Sequence, residues 1–184
     1  MSGNEAGSTR PRPTPHSGHG GPEAPGALIS ILMLFAFLAV VFICAAAGAY
    51  VTSSSVDTWY AGIVKPDLTP ANWVFPVVWN LLFFLMGLSA WLVWCAAGGL
   101  NEAGLALSLF AGQLMLNFTW SVLFFGLHRP DLATFEIIVL VAAIVLTIRC
   151  FWALSRLAAL LLAPYLAWCL FATWLTASVW SLNA

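Results

Sequence analysis

The stretch "LISILMLFAFLAVVFICAAAGAY", from Leu28 to Tyr50, contains twenty-three residues and no charged side chain. An α-helix rises about 1.5 Å per residue, so about 20 residues cross the roughly 30 Å hydrocarbon core of a bilayer. This stretch therefore predicts a helix that spans a membrane.

Four further apolar runs follow along the chain, near residues 72–97, 103–127, 132–154 and 157–182. The chain is 62% hydrophobic and 7% charged, whereas soluble domains are about 25% charged. Because the connections between runs are short, neighbouring spans must be antiparallel. The sequence predicts an all-α, polytopic membrane protein, a bundle of five transmembrane helices in which residues 28–50 form the first span.

The segment before the first span, residues 1–27, is rich in Gly, Pro and Ser and is expected to be disordered. Arg10 and Arg12 precede an apolar run, as in a signal peptide, but that run is longer than the usual apolar core of about 7–15 residues. An uncleaved first span is therefore expected. His16 and His19 in this tail are not expected to form a metal site.

Charged side chains are rare inside the predicted spans. Glu136 falls in the opening turns of the fourth span, where a helix N-terminus favours an anion, and Arg149 can snorkel from its other end. An ion-coupled pump with a carboxylate relay is therefore not expected. The sequence contains no hydrolytic or phosphate-binding motif, and neither a metal site nor a nucleic-acid partner is expected.

Several polar and indole side chains lie deep within the apolar runs. In the third span, Gln113, Asn117 and Trp120 recur at positions i, i+4 and i+7, which places them on one helix face. Trp79 in the second span and Trp168 in the fifth are similarly deep. A buried indole leaves an N–H that needs a partner and a broad ring that a flat molecule can cover. These residues are candidates for a ligand site, with packing inside the bundle as the alternative.

Five other tryptophans lie near the ends of spans, where indole rings are enriched at the boundary between membrane and water. They are Trp59, Trp73, Trp94, Trp152 and Trp180. Anchoring at the interface is the expected role of this set.

A second face of the third span carries a row of small residues, Gly104, Ser108 and Gly112. Rows of this kind let two helices approach closely in lipid. The row predicts either a dimer interface or close packing within one chain.

Taken together, these motifs resemble those of the TspO/MBR family, the tryptophan-rich sensory proteins and mitochondrial translocator proteins. The similarity covers nearly everything after the tail and includes several motifs in the same order. They are "WY" at Trp59, "KP" at Lys65, "VWNLLFFLMG" ending at Gly87, "GQLMLNFTWSVLFFG" at residues 112–126, "RPDLA" after it, and "PYLAWCLFA" at residues 164–172.

This resemblance implies a five-helix bundle, usually dimeric, whose pocket is covered by the loop between the first two spans, residues 51–71. Family members bind porphyrins such as protoporphyrin IX or haem as ligands, without a required cofactor, in contact with membrane lipid. Carried onto this sequence, the ligand-binding residues are Trp59, Lys65, Trp79, Gln113, Asn117, Trp120, Tyr165 and Trp168. Lys65 is the only positive charge of the loop, and we hypothesise that it meets a porphyrin propionate.

The function implied by the resemblance is that of a tetrapyrrole-binding sensor or regulator of porphyrin metabolism. The alternatives are light-dependent porphyrin breakdown with Trp79 and Trp168 as participants, and translocation of a porphyrin or another lipophile. A bacterial cell membrane is the expected location, with the mitochondrial outer membrane as the alternative. Cholesterol binding near the C-terminus is not expected, because Ala177 and Ser181 stand where animal relatives have a tyrosine and a basic residue.

Overall fold

The computed structural model describes residues 26–184, which form helices and no strands. Five helices are long and apolar enough to cross a membrane, as predicted: Ala27–Ser53, Val74–Ala97, Gly104–Gly126, Pro130–Leu154 and Arg156–Leu182. Their ends lie close to those expected, and the largest difference is three residues, between Ser53 and the predicted Tyr50. The predicted disordered tail and its histidines lie outside the described residues, apart from Gly26 and Ala27.

The helical elements follow one another with short connections. They are α1 (Ala27–Ser53), α2 (Trp59–Gly62), α3 (Val74–Ala97), α4 (Gly104–Ser121), α5 (Pro130–Leu154), α6 (Arg156–Leu161) and α7 (Ala163–Leu182). A π-helical turn, Val122–Gly126, extends α4, so that α4 and this turn form the third span.

Local sequence explains where the helices begin and end. Gly98 ends α3 with a left-handed φ of 88°, and its N–H donates to the Trp94 carbonyl. Pro130 occupies the first turn of α5, where its missing N–H costs no hydrogen bond. The Arg129 guanidinium donates two hydrogen bonds to Asp131, at 2.8 and 2.6 Å, and these contacts raise the pKa of Arg129.

The fifth span consists of two helices rather than one. Ser155 has extended backbone, and its Oγ caps α6 by accepting a hydrogen bond from the Ala158 N–H. Leu162 then separates α6 from α7. Pro164, just beyond it, has no N–H to donate to a carbonyl one turn earlier, which accounts for the interruption.

Close packing of α1 on α3 depends on Gly87. A Cβ at this position would lie 2.8 Å from Leu38 Cδ2 and 3.3 Å from the Leu38 Cα. The two backbones can therefore approach only because the side chain is a hydrogen atom. Further along, α4 packs on α1 and α5, and α5 packs on α7.

The outer surface of the bundle is apolar, as a protein surrounded by lipid requires. Large exposed side chains such as Phe35, Ile43 and Leu105 cover it. Trp73 and Trp152, predicted to anchor the protein at the interface, are 70% and 48% exposed. Trp94 differs from that prediction, because it is 5% exposed and packs inside the bundle. The chain is an integral, multi-pass membrane protein.

Candidate ligand-binding cavity

A cavity of about 630 Å³ lies between α1, α3, α4 and α7, beside the loop that joins α1 to α3. Pockets for drug-sized ligands measure about 300–1,000 Å³, so this volume suits a substantial organic molecule. No residue of α5 (Pro130–Leu154) lines the cavity, so this helix packs behind the cavity wall.

Aromatic side chains make up much of the cavity wall. They are Phe42, Tyr60, Phe75, Trp79, Phe83, Trp120, Phe124, Phe125 and Trp168. The three tryptophans come from three different helices, α3, α4 and α7. The wall therefore offers broad π-surfaces from several directions, which a flat apolar ligand can contact.

The indole rings are held in place by other aromatic rings. Trp120 stacks on Phe124 with 5.1 Å between ring centroids and 14° between planes. Trp168 meets the edge of Phe75 at 5.9 Å, and Trp79 lies 6.3 Å from the buried ring of Tyr165. Such offset and edge-to-face pairs each contribute about 0.5–1.5 kcal/mol beyond the burial of their area.

The π-helical turn at the end of the third span shapes one side of the cavity. It carries Phe124 and Phe125, whose ring centroids are 4.9 Å apart, and both rings line the wall. An extra residue in a helical turn changes the direction in which the following side chains point. The regular spacing of Gln113, Asn117 and Trp120 does not continue into this turn.

Polar side chains also line the cavity, among them Thr52, Ser53, Asn72, Asn80, Ser121 and Thr176. Asn117 Nδ2 donates a 3.2 Å hydrogen bond to the Tyr165 hydroxyl. Trp120 Nε1 is buried and has no hydrogen-bond partner within residues 26–184. Burial raises the pKa of the Tyr60 phenol, so that this hydroxyl stays protonated at neutral pH. Asp57 is the only charged residue in the wall among the residues described.

Lys65 does not line this cavity. Its ammonium group donates hydrogen bonds to the carbonyls of Tyr60 at 2.6 Å and Ile63 at 3.2 Å, and lies 4.7 Å from the centre of the Tyr60 ring. Lys65 thus stabilises the C-terminal end of the short helix α2 and packs on the Tyr60 ring, which lines the cavity. It borders a separate cleft of about 530 Å³, which is also lined by Trp174 and Leu182 of α7.

The loop between α1 and α3 is fastened to the bundle at two places. Asn183 Oδ1 accepts a 3.0 Å hydrogen bond from the Val64 N–H, and Asn183 Nδ2 donates to the Val64 carbonyl at 2.9 Å. Ser55 Oγ donates to the Phe125 carbonyl and lies 3.0 Å from His128 Nε2. Trp59 stacks on His128 with 4.5 Å between ring centroids.

The eight predicted ligand-binding residues therefore occupy different positions. Four line the cavity: Trp79, Asn117, Trp120 and Trp168. Gln113 and Tyr165 are buried behind its wall, at 1% and 0% exposure. Trp59 packs on the loop histidine and Lys65 on Tyr60, so neither is part of the wall.

Sequence reasoning missed other residues of the wall. Tyr60 belongs to the quoted "WY" motif, which was a usable signal. Phe124 and Phe125 lie in the π-helical turn, which the apolar spacing did not indicate. Across residues 26–184, no three His, Cys, Asp or Glu side chains come together as a metal site would require.

The row of small residues on α4 faces outward. A Cβ added at Gly104 or Gly112 would meet no atom within 4 Å in the described chain, and Ser108 is exposed. Close packing within one chain, one of the two alternatives, is therefore not what these glycines provide. The dimer interface remains a prediction.

Comparison with known proteins gives the family. The TspO/MBR family profile matches residues 35–181, most of the chain. The chain belongs to the TspO/MBR family. Several relatives of this TspO/MBR chain can be aligned along most of its length.

The tryptophan-rich protein TspO of Archaeoglobus fulgidus is 44% identical over 156 residues, covering 85% of this TspO/MBR chain and 100% of the relative. The translocator protein of Homo sapiens is 41% identical over 126 residues, covering 68% and 75% of the two chains. The tryptophan-rich sensory protein of Cereibacter sphaeroides is 37% identical over 142 residues, covering 76% and 87%.

Proposed function

We propose that this protein binds a flat, largely apolar ligand of the porphyrin class in the cavity and acts as a sensor or regulator. One observation carries the proposal: Trp79, Trp120 and Trp168, from three helices, all contribute to the wall of a single cavity. A porphyrin is a broad π-system, and indole rings offer it suitable surfaces for stacking.

Binding is favoured over catalysis by the chemistry of the wall. Among residues 26–184 the only charged side chain in the wall is Asp57, and it makes no hydrogen bond to a hydroxyl group of the wall. The serine and histidine that do lie close together, Ser55 and His128, are outside the wall. One relative is named a sensory protein, which agrees with a role in sensing. Others are named translocator proteins, so transport is the second candidate.

The test is a titration of the detergent-purified protein with protoporphyrin IX in the dark, followed by tryptophan fluorescence. Trp79→Phe and Trp168→Phe should each weaken saturable quenching, because each removes an indole from the wall. Trp152→Phe is the matched control, since Trp152 is 48% exposed on α5, which does not line the cavity. Unsaturable quenching that is identical in all variants would overturn the proposal.

Two further measurements separate the alternatives. Illumination of the complex should leave the porphyrin absorption bands intact if the protein only binds its ligand. Loss of the bands that depends on Trp79 and Trp168 would favour light-dependent breakdown instead. Porphyrin flux into proteoliposomes that exceeds flux into empty vesicles would favour translocation.

A further inference from the structure

Two buried polar side chains behind the cavity have no partner among residues 26–184. Neither the nitrogen nor the oxygen of the Gln113 amide makes a hydrogen bond, although the residue is only 1% exposed. Both carboxyl oxygens of Glu136 are likewise buried and unpaired. An unsatisfied buried polar group costs about 1–3 kcal/mol, and a charged one costs more. These four atoms therefore need partners that protein groups do not supply.

The two side chains belong to helices that pack against each other, α4 and α5. Ala133, one helical turn before Glu136, packs in one cluster with Phe124 and Trp120, which both line the cavity. Gln113 lies one turn from Asn117, whose amide forms part of the cavity wall and donates to the Tyr165 hydroxyl. Both unpaired side chains therefore lie behind the cavity, Glu136 beside the Trp120 cluster and Gln113 beside Asn117.

No cation in the described part of the chain neutralises Glu136. Arg129 is paired with Asp131 in the one ion pair of residues 26–184. Lys65 is bound to backbone carbonyls, and Arg156 lies over the Trp152 ring, 5.9 Å from its centre. Arg149 is exposed and follows Glu136 by thirteen residues, which is about 20 Å along a helix.

The other helices around α5 bring no further charge to Glu136. Residues 104–126, which form α4 and its π-helical turn, contain no titratable side chain. From α7 come Tyr165 and Cys169, both neutral in a buried apolar setting. On α3 the titratable residue is Cys95. Its sulfur lies 3.7 Å from Ser30 Oγ, near the N-terminal end of α1.

We propose that Glu136 is a buried proton-binding site behind the ligand cavity. A carboxylate in hydrocarbon without a counter-ion is far costlier than a neutral carboxyl group, so a proton is held there at neutral pH. The neutral carboxyl can donate one hydrogen bond and accept others. A buried water typically makes about three hydrogen bonds, which suits a carboxyl group that has no protein partner.

Protonation of Glu136 is coupled to the cavity through Trp120, which packs in the cluster one helical turn away on α5. Loss of the proton would place a strong hydrogen-bond acceptor behind the cavity wall, towards which the unpaired Trp120 N–H would turn. The Trp120 ring, which lines the cavity, would then shift. Ligand affinity should fall as the pH rises through the titration of Glu136. This coupling rests on the proposed function, whereas the proton site does not.

Infrared difference spectroscopy of the ligand-free protein tests the proton site. The wild type should have the C=O stretching band of a protonated carboxyl group at neutral pH, and the band should shift in D₂O. Glu136→Gln should lack the band, while Glu102→Gln, the same change in an exposed loop, should keep it. Absence of a band that depends on Glu136 would overturn the proposal. Glu136→Asp should retain the band at a shifted frequency, which guards against misfolding of the glutamine variant.

The coupling is tested with protoporphyrin IX dimethyl ester, which has no carboxyl group of its own to titrate. Affinity for the wild type and for Glu102→Gln should fall from neutral to alkaline pH, and affinity for Glu136→Gln should stay constant. The same pH dependence in all three proteins would overturn the coupling. Failure of the ester to bind at any pH would count against the proposed function, and the infrared band would still decide the proton site.

Discussion

At the scale of single residues, the charge in the cavity wall is negative, whereas the carboxylates of a porphyrin would bind better beside a positive charge. Asp57 is exposed at the cavity and is its only charged side chain within residues 26–184. We expect Asp57→Asn to tighten binding of protoporphyrin IX by about two- to fivefold, the size of an exposed charge interaction. Fluorescence titration at low salt measures this change.

The dimethyl ester of the same porphyrin is the control for Asp57. It has no carboxylate to repel, so Asp57→Asn should leave its affinity unchanged. Equal tightening for the acid and the ester would contradict an electrostatic role of Asp57. High salt should shrink the difference for the acid, because exposed charges are screened.

Lys65 offers a second prediction with the same two ligands. Its ammonium is bound to the carbonyls of Tyr60 and Ile63, so we expect Lys65→Ala to act through Tyr60 rather than through a propionate. The affinities for the acid and for the ester should fall by the same factor. A loss confined to the acid would instead support the direct contact that the sequence suggested.

These cases indicate which site residues a sequence can reveal. Trp79, Trp120 and Trp168 could be predicted because deep indoles in apolar runs follow helical spacing, which the fold preserves. The contacts of Lys65 could not be predicted from the sequence, because its ammonium group binds backbone carbonyls at the end of α2. The burial of the Glu136 oxygens depends on how α5 packs. The position of Glu136 in the opening turns of a span did not indicate that these oxygens are buried.

At the scale of elements, the loop between α1 and α3 depends on a side chain at the end of α7. Asn183 bonds both the N–H and the carbonyl of Val64, at 3.0 and 2.9 Å. We expect Asn183→Ala to speed amide hydrogen exchange at Val64 by about thirtyfold, since two hydrogen bonds of about 1 kcal/mol each are lost. Mass spectrometry of deuterated peptides measures the rate.

Ser181→Ala is the control for Asn183. Ser181 is exposed, lies two residues earlier on α7, and has no side-chain hydrogen bond within the described residues. Exchange at Val64 should not respond to it. If Asn183→Ala also leaves the rate unchanged, Asn183 does not hold the loop in solution.

The contact between α1 and α3 gives a prediction about stability. Gly87→Ala would bring a Cβ to 2.8 Å from Leu38 Cδ2 and 3.3 Å from the Leu38 backbone. We expect the free energy of unfolding to fall by about 1–3 kcal/mol, as overpacked interiors do. The midpoint of unfolding by SDS in mixed micelles measures this loss.

Gly62→Ala, in the short helix α2, is the control, because a Cβ there meets nothing within 4 Å in residues 26–184. It should be neutral or stabilising by about 0.5–1 kcal/mol, since alanine favours helix more than glycine does. Similar midpoints for the two variants would contradict the close approach of α1 and α3 at Gly87.

Helix positions could be predicted more fully than helix irregularities. Length and hydropathy located all five spans, because a bilayer demands long apolar helices. The π-helical turn at Val122–Gly126 and the break at Leu162 were not foreseen. Both depend on how particular turns pack, which an apolar composition does not reveal. Pro164 could have indicated the break at Leu162.

At the scale of the whole molecule, the outward row on α4 predicts assembly. We propose that Gly104, Ser108 and Gly112 allow two copies of the chain to pack closely, since these positions are open in the single chain. Gly112→Leu should shift the protein from dimer to monomer in size-exclusion chromatography with light scattering. Ala36→Leu, on the exposed face of α1, should leave the dimer intact. A wild type that is monomeric in lipid nanodiscs would contradict the proposal.

The proposed function depends on one location, the cavity enclosed by α1, α3, α4 and α7. The most direct measurement is a crystal structure of the protein with protoporphyrin IX bound. We expect density for the macrocycle between the rings of Trp79, Trp120 and Trp168. Density only on the lipid-facing surface, with the cavity unoccupied, would contradict it.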